Sequence, residues 1–292
     1  MTQLDAALAH PSSARIPPGP NRYGGLCAEI YDLDKPPGAL GDIGYYLDRL
    51  RGTSGAILEA AVGTGRLLVP LLEAGLRVEG FDHSTDMLAR CRVNCAARGL
   101  APVLTQARFQ DFELGRRFAA VVVPVGTFTL IDDVGEALAV LRRFHDALEP
   151  GGRLFIDQLP LGYLVNERAD IRTWTAANGD LLRIEGRAVE IDPVRQRRVT
   201  HDRYERWRDG RLVESELEVM AFRIWGLKEF ELALQAAGFT DITVGADYRM
   251  GPPTRSARFL NYQARRPIRA PADTFQHGGP ARSAHLDVPR AT

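Results

Sequence analysis

The spacing of apolar and polar positions changes character along the 292-residue chain. Residues 28–50 carry apolar side chains at helical spacing, interrupted at Pro36-Pro37-Gly38 and resuming in DIGYYLDRLR. From residue 56 onward, short runs rich in Val, Ile and Leu alternate with helical patterns. ILEA, LRVEGFD, residues 102–107, residues 118–124 and RLFIDQL read as five strands. Residues 66–74, 85–98 and 134–148 read as intervening helices, the last ending at Pro150-Gly151-Gly152. Short apolar strands alternating with helices predict an α/β class and a doubly wound, mostly parallel sheet covered on both faces.

Over residues 170–225 the period shortens to two, and turn signals fall at Asn178-Gly179, Asp192-Pro193 and Asp209-Gly210. RTWTAA, LLRIEGRAVEI, RRVTHDRYERW and LVESELEVMAFRIW should therefore form an antiparallel β insert. A helical pattern over 227–237 ends on Gly238, and ITVGADY and ARFLNYQAR follow without a helix between them, as a hairpin would. The domain organisation expected is a main domain of residues 21–169 and 226–266, opened by a helical lid (21–54) and interrupted by the insert (170–225). Residues 1–20 and 267–292 lack periodicity and large apolar side chains, and disorder is expected there.

Charge narrows the partners. Lys and Arg number 37, Asp and Glu 37, so there is no basic excess to suggest a nucleic-acid partner. The longest apolar stretch, FAAVVVPVGTFTLI, is shorter than the ~20 residues a membrane span needs. The opening residues show neither a basic segment nor an apolar core of a signal peptide. Cys27, Cys91 and Cys95 make no disulfide framework, and the last two share one helix face as small buried residues. A cytoplasmic protein acting on a small molecule is the expectation. The six histidines (10, 83, 145, 201, 277, 285) show no ligand spacing, so no metal is expected. No Gly-x-Ser-x-Gly elbow of a hydrolase occurs.

The chemistry concentrates in ILEAAVGTGRLLVPLL. Its Val62-Gly63-Thr64-Gly65 turn joins a strand to a helix. Glycine lets backbone approach a ligand, and the following helix offers free N–H groups. The alternative is a tight turn with no ligand. Asp82 ends the second strand, where a carboxylate can hold the two hydroxyls of a ribose; as an alternative it caps the next helix, a role Ser84 also suits. Past the third strand, Gln110-Asp111-Phe112 offers an acceptor for an adenine amino group and a ring to pack on the base, or else a solvated loop.

Together these features resemble the class I S-adenosylmethionine-dependent methyltransferases of small-molecule, natural-product tailoring type, over roughly residues 23–265. Glu59-Ala-Ala-Val-Gly63-Thr-Gly65 follows that family's acidic-x-Gly-x-Gly-x-Gly motif except that Ala61 replaces the first glycine, a change easily accommodated at negative φ. The resemblance implies a Rossmann-like methyltransferase fold, with the final hairpin supplying an antiparallel seventh strand beside the sixth to make a seven-stranded sheet, and S-adenosylmethionine as cofactor. It implies that Glu59 holds the methionine amino group, that Gly63 and Gly65 pass beneath methionine and ribose, and that Asp82 holds the ribose. His83 and Met87 would flank the adenine, Asp111 would read its amino group, and Pro124 would border the methyl-transfer region. Ala28-Glu-Ile-Tyr-Asp32 resembles the helix that closes over the cofactor in many members, so that Tyr23 and Tyr31 could touch methionine or acceptor, or simply pack.

The insert holds Trp174, Trp207 and Trp225 with Tyr204 and Phe222. With Tyr31 these could line an acceptor site, which favours a flat, partly apolar metabolite, aromatic or indole-like. They could equally pack the insert onto the sheet or form a homodimer interface. Glu29, Tyr31 and His201 are the candidate bases, none supported by a motif. Amino-sugar amines and phenolic hydroxyls remain alternative acceptors. An NAD(P)-dependent oxidoreductase is a rival reading, although Arg66-Leu67-Leu68 breaks the Gly-x-Gly-x-x-Gly fingerprint. A non-catalytic nucleotide-binding protein is another. Excising the insert is expected to spare cofactor binding and abolish transfer.

Overall fold

The computed structural model describes residues 20–166, 169–249 and 251–268; the terminal segments expected to be disordered lie mostly outside this range. In chain order the first elements are α1 (Gly25–Asp34), α2 (Asp42–Leu50), β1 (Ile57–Ala60), α3 (Leu68–Glu73), β2 (Val78–Asp82), α4 (Thr85–Ala96), β3 (Leu104–Gln106) and β4 (Phe118–Val123). A turn of 3-10 helix (Thr127–Leu130), α5 (Val134–Ala147), β5 (Leu148–Gln158) and the short α6 (Leu161–Leu164) follow. The insert is β6 (Asp170–Thr175), β7 (Leu181–Asp192), β8 (Arg197–Arg208) and β9 (Arg211–Arg223). The chain closes with α7 (Leu227–Ala236), β10 (Thr240–Ala246) and β11 (Leu260–Arg265).

All four residues of β1 are buried, because β1 lies between β2 and β4 with helices on both sides. The seven-stranded sheet runs β10-β11-β5-β4-β1-β2-β3, and β11 is antiparallel to both its neighbours. The expected final hairpin is thus present, and it places β11 inside the sheet. One face packs Leu58, Val121 and Ile156 with Phe144 and Phe230 of α5 and α7. The other packs Ile57, Val122 and Phe155 with Tyr46, Leu68 and Cys91 of α2, α3 and α4. The strand order reverses between β1 and β4, so a crevice opens where their C-terminal ends diverge.

The insert is a separate four-stranded antiparallel sheet, β6-β7-β8-β9. Asp209 and Gly210 both have positive φ (50° and 74°), the conformation of a tight two-residue hairpin turn. Trp225, expected within the insert, is buried instead in the main core, edge-on to Phe230 at 5.6 Å. β5 starts earlier than its apolar run, because Pro150-Gly151-Gly152 is incorporated into the strand instead of ending it. Among the described residues no helix is long and apolar enough to cross a membrane.

Candidate functional site

A cavity of about 310 Å³ opens at the reversal between β1 and β4. Its walls include Ala61 and Gly63 after β1, Asp82 and His83 at the tip of β2, and Met87 on α4. Gln110 lies on another wall, and Tyr23 and Tyr31 form the cover. The fold therefore gathers eight of the residues expected from sequence into one space.

The glycine turn shows why the sequence reads as it does. Gly63 has φ +55°, and a Cβ built there would meet nothing within 4 Å, so the turn presents bare backbone to open space. Gly65, at φ +86°, serves packing: its Cβ would sit 2.8 Å from Cys91 Sγ, and the residue does not line the cavity. Ala61 also adopts the left-handed region, φ +57°, not the negative φ that would make its methyl easy to accommodate. Arg66 turns away and forms a buried two-pronged ion pair with Asp42, at 2.9 and 2.6 Å, that ties the turn to α2.

Asp82 is almost fully buried, 5% exposed. Its Oδ2 accepts Gly63 N–H at 2.9 Å and its Oδ1 accepts Ser84 N–H at 2.9 Å. Each carboxylate oxygen has a second lone pair, so two further donors can be received. Burial pushes its carboxyl above the usual range, and the two backbone donors oppose that shift. Ser84 is the actual cap of α4, accepting Met87 N–H at 3.1 Å. His83 Nε2 donates to Asn21 O at 2.7 Å, which fixes that nitrogen as the protonated one.

Behind the turn, Glu59 is buried with Oε2 unpartnered, and Thr64 Oγ1 is likewise buried without a partner. Loss of solvent pushes the Glu59 carboxyl up to about 8, against the pull of Arg66. Neither Glu59 nor Thr64 lines the cavity, but the orphaned Glu59 oxygen behind it and the Asp82 carboxylate on its wall match a ligand bearing a donor or cation at one end and a ribose at the other. S-adenosylmethionine has both.

Other expected site residues lie elsewhere. Asp111 accepts the N–H of Arg108 at 2.9 Å, making a local turn, and lines a neighbouring open groove. Phe112 stacks on Phe81 with centroids 4.8 Å apart, inside the core. The wall past β3 is built from residues 107–110, so that of the expected trio only Gln110 contributes, a placement legible only once the end of β3 at Gln106 is known. Pro124 is not in the cavity wall, but its carbonyl accepts the hydroxyl of Thr127, which is. The segment from Thr127 to Asp132 and Glu136 of α5, absent from the sequence expectations, forms the opposite wall.

None of the five insert aromatics lines this cavity. Tyr204 and Trp174 pack against α1, Trp207 Nε1 donates to Glu205 at 3.0 Å, and Phe222 lies edge-on to Tyr163 at 5.6 Å. Trp225 belongs to the core already described. Glu29 is held by Arg206 in a two-pronged pair at 2.6 and 3.2 Å, and His201 is exposed on β8. Of the candidate bases only Tyr31 faces the cavity.

Residues 57–152 match the methyltransferase domain family. The glycine/sarcosine N-methyltransferase of Halorhodospira halochloris is 33% identical over 132 residues, 44% of this chain and 49% of that protein. The dTDP-3-amino-3,6-dideoxy-alpha-D-glucopyranose N,N-dimethyltransferase of Streptomyces fradiae is 31% identical over 156 residues, 51% of this chain and 59% of that protein. The chain thus spans about half the length of these relatives. In three dimensions it resembles the sugar N-methyltransferase of Streptoalloteichus sp ATCC 53650, with TM-score 0.68 and 21% identity over 88% of this chain and 97% of that one. Residues 57–152 thus match a methyltransferase domain, and the chain shares the fold of solved S-adenosylmethionine-dependent methyltransferases. The proteins it resembles include N-methyltransferases named for glycine and sarcosine, for an amino sugar and for a sugar.

Proposed function

We propose that the protein is an S-adenosylmethionine-dependent N-methyltransferase of a small-molecule amine, with an amino sugar as the favoured acceptor. The observation that carries the cofactor assignment is the cavity bounded by bare Gly63 and the buried Asp82 carboxylate, with the orphaned Glu59 Oε2 behind it. Asp82 holds the ribose hydroxyls, Glu59 receives the methionine amino group, and Met87 with Phe109 encloses the base. The relatives' activities toward glycine, sarcosine and an amino sugar support an amine acceptor. The sequence-based preference for a flat aromatic acceptor rested on insert aromatics that lie outside the cavity.

When bound, the cofactor supplies a methyl group already activated on a sulfonium. The chain's own work is then to position and desolvate. Neutral nitrogen brings its lone pair in line with the methyl, and orientation of this kind is worth ~7–11 kcal/mol in favourable cases. An amine needs no strong base, so none of the cavity's ionisable side chains, His83, Asp132 and Glu136 among them, has to serve as one. The outer face of the insert exposes Ile171, Leu181 and Leu217, and a homodimer through it belongs to the same reading.

Calorimetric titration of the full chain with S-adenosylhomocysteine and, separately, with NAD tests the cofactor. Micromolar affinity for the first alone is expected, followed by methylation of amino sugars in an acceptor screen. Affinity for NAD alone would assign an oxidoreductase.

A further inference from the structure

Beyond the cofactor's direct contacts, a fully buried carboxylate organises the loop after β4. Asp157, next to last in β5, is 1% exposed. Its Oδ1 accepts Asn261 Nδ2 at 2.7 Å. Its Oδ2 accepts the backbone N–H of Val125 at 2.8 Å and the hydroxyls of Tyr46 at 2.9 Å and Tyr248 at 3.0 Å. The donors come from β11, the β4 loop, α2 and the β10–β11 connection. Three donors on one oxygen suit an ionised carboxylate and no neutral side chain. Burial raises the Asp157 carboxyl to about 6, which leaves it ionised at neutral pH.

Val125 is the unusual member. Its φ is +58°, a left-handed conformation that a β-branched residue adopts only under constraint. Gly126 follows at φ +69°, where a Cβ would lie 2.9 Å from Leu159 Cγ. The bend lets Pro124 O accept both the N–H of Thr127 at 3.2 Å and its hydroxyl at 2.7 Å. Thr127 is the side chain that this loop contributes to the cavity.

We propose that Asp157 is a positioning residue: it clamps residues 124–127 in their left-handed bend and thereby sets the cavity wall that carries Thr127. The inference rests on the proposed methyltransferase reading only for what fills the cavity. Without the carboxylate, Val125 relaxes toward extended backbone and takes Thr127 with it. A glycine at 125 has no such preference, so it should replace the clamp.

Two readouts on the full chain test this: hydrogen exchange of the 124–130 peptide without ligand, and S-adenosylhomocysteine affinity by calorimetry. Asp157→Asn is expected to speed that exchange at least about tenfold and to raise Kd about tenfold. Adding Val125→Gly should return Kd to within roughly threefold of wild type while the melting temperature stays low. Tyr46→Phe and Tyr248→Phe, which remove donors to the same oxygen but leave Val125 bonded, should lower the melting temperature and leave Kd unchanged. Equal losses of affinity in all three single variants, or no rescue by Val125→Gly, would reduce Asp157 to a general core residue and overturn the proposal. If Asp157→Asn does not fold, the wild type decides: a Val125 amide exchanging as fast as an exposed loop amide overturns the clamp, and strand-like protection supports it. A wild type that binds no S-adenosylhomocysteine defeats the cofactor reading, and the exchange arm still judges the clamp.

Discussion

At the scale of single residues, the glycine turn separates two roles that look alike in sequence. Gly63 leaves space for a ligand and Gly65 leaves space for Cys91. Gly65→Ala is therefore expected to cost stability, about 2–4 kcal/mol, from left-handed strain plus overpacking. Its denaturant midpoint should fall even without ligand; an unchanged midpoint would show that α4 can retreat. Ala61, strained at φ +57°, predicts the reverse: Ala61→Gly should be neutral or stabilising by up to about 1 kcal/mol. Asp82→Ala should weaken S-adenosylhomocysteine binding by about 1–3 kcal/mol through lost charge-assisted bonds, measured by calorimetry. Unchanged affinity would remove Asp82 from the ribose role.

Glu59 gives a pH dependence with a definite sign. Its folded carboxyl stands at about 8, above the ordinary 4.5, so the folded state holds a proton that the unfolded state releases. That contribution is complete below about pH 4.5 and is lost as pH rises through about 8. Free protein should therefore lose stability between these limits by an amount on the order of a few kcal/mol, and Glu59→Gln should flatten that part of the curve. Thermal melts of both proteins across the range check it; parallel curves would mean Glu59 is ionised in the folded state.

At the scale of elements, α1 has no side-chain cap of its own, since Gly24 occupies the cap position. Two carboxylates of β9 supply what is missing: Glu218 accepts Gly24 N–H at 2.8 Å and Glu216 accepts Leu26 N–H at 3.0 Å. Negative charge at a helix N-terminus also complements its dipole. Arg206 of β8 secures Glu29 further along the same helix. The insert therefore fixes the helix that carries Tyr31 over the cavity. Glu218→Ala should raise the S-adenosylhomocysteine Kd about three- to thirtyfold, by exposing one buried N–H and freeing the start of α1. Faster proteolysis near 20–30 should accompany it; unaltered Kd and cleavage would make this contact incidental.

Elements differed in how far the sequence announced them. The strands of both sheets were legible from their period and from Asn-Gly and Asp-Gly turns, since these are local properties of backbone and side chain. The 3-10 turn at Thr127–Leu130 was not, because its apolar residues read on from β4 and its bend depends on Asp157, distant in the chain. The wall beyond β3 was expected at 110–112 and lies at 107–110 for a related reason: apolar pattern alone did not fix where the strand stops.

At the scale of the molecule, the insert and the cofactor cavity are one assembly. Asn21 shows this directly: its side chain donates to Leu130 O at 3.1 Å and accepts Ala221 N–H at 2.9 Å, joining the cavity's cover to its far wall and to β9. The sequence suggested that excising the insert would spare cofactor binding; these bonds predict instead that binding suffers. Replacing 170–223 with a short linker is expected to weaken S-adenosylhomocysteine binding at least about tenfold even if the main sheet folds. Circular dichroism with calorimetry separates the two effects; a folded protein with full affinity would restore the picture of an independent acceptor lid.

The sequence by itself determined the doubly wound sheet, the antiparallel insert, the closing hairpin and the glycine turn with its following acid at Asp82. Each is written in neighbours a few residues apart, where apolar period, turn chemistry and glycine's freedom act directly. Tertiary structure alone decided which side chains share the cavity. It sent Phe112 and Trp225 into the core, paired Glu29 with Arg206, and brought Thr127 and Glu136 to the far wall. It also set a left-handed Val125 under a carboxylate 32 positions away. Those outcomes depend on how separate elements pack and where buried charges find partners, and no local pattern encodes that distance.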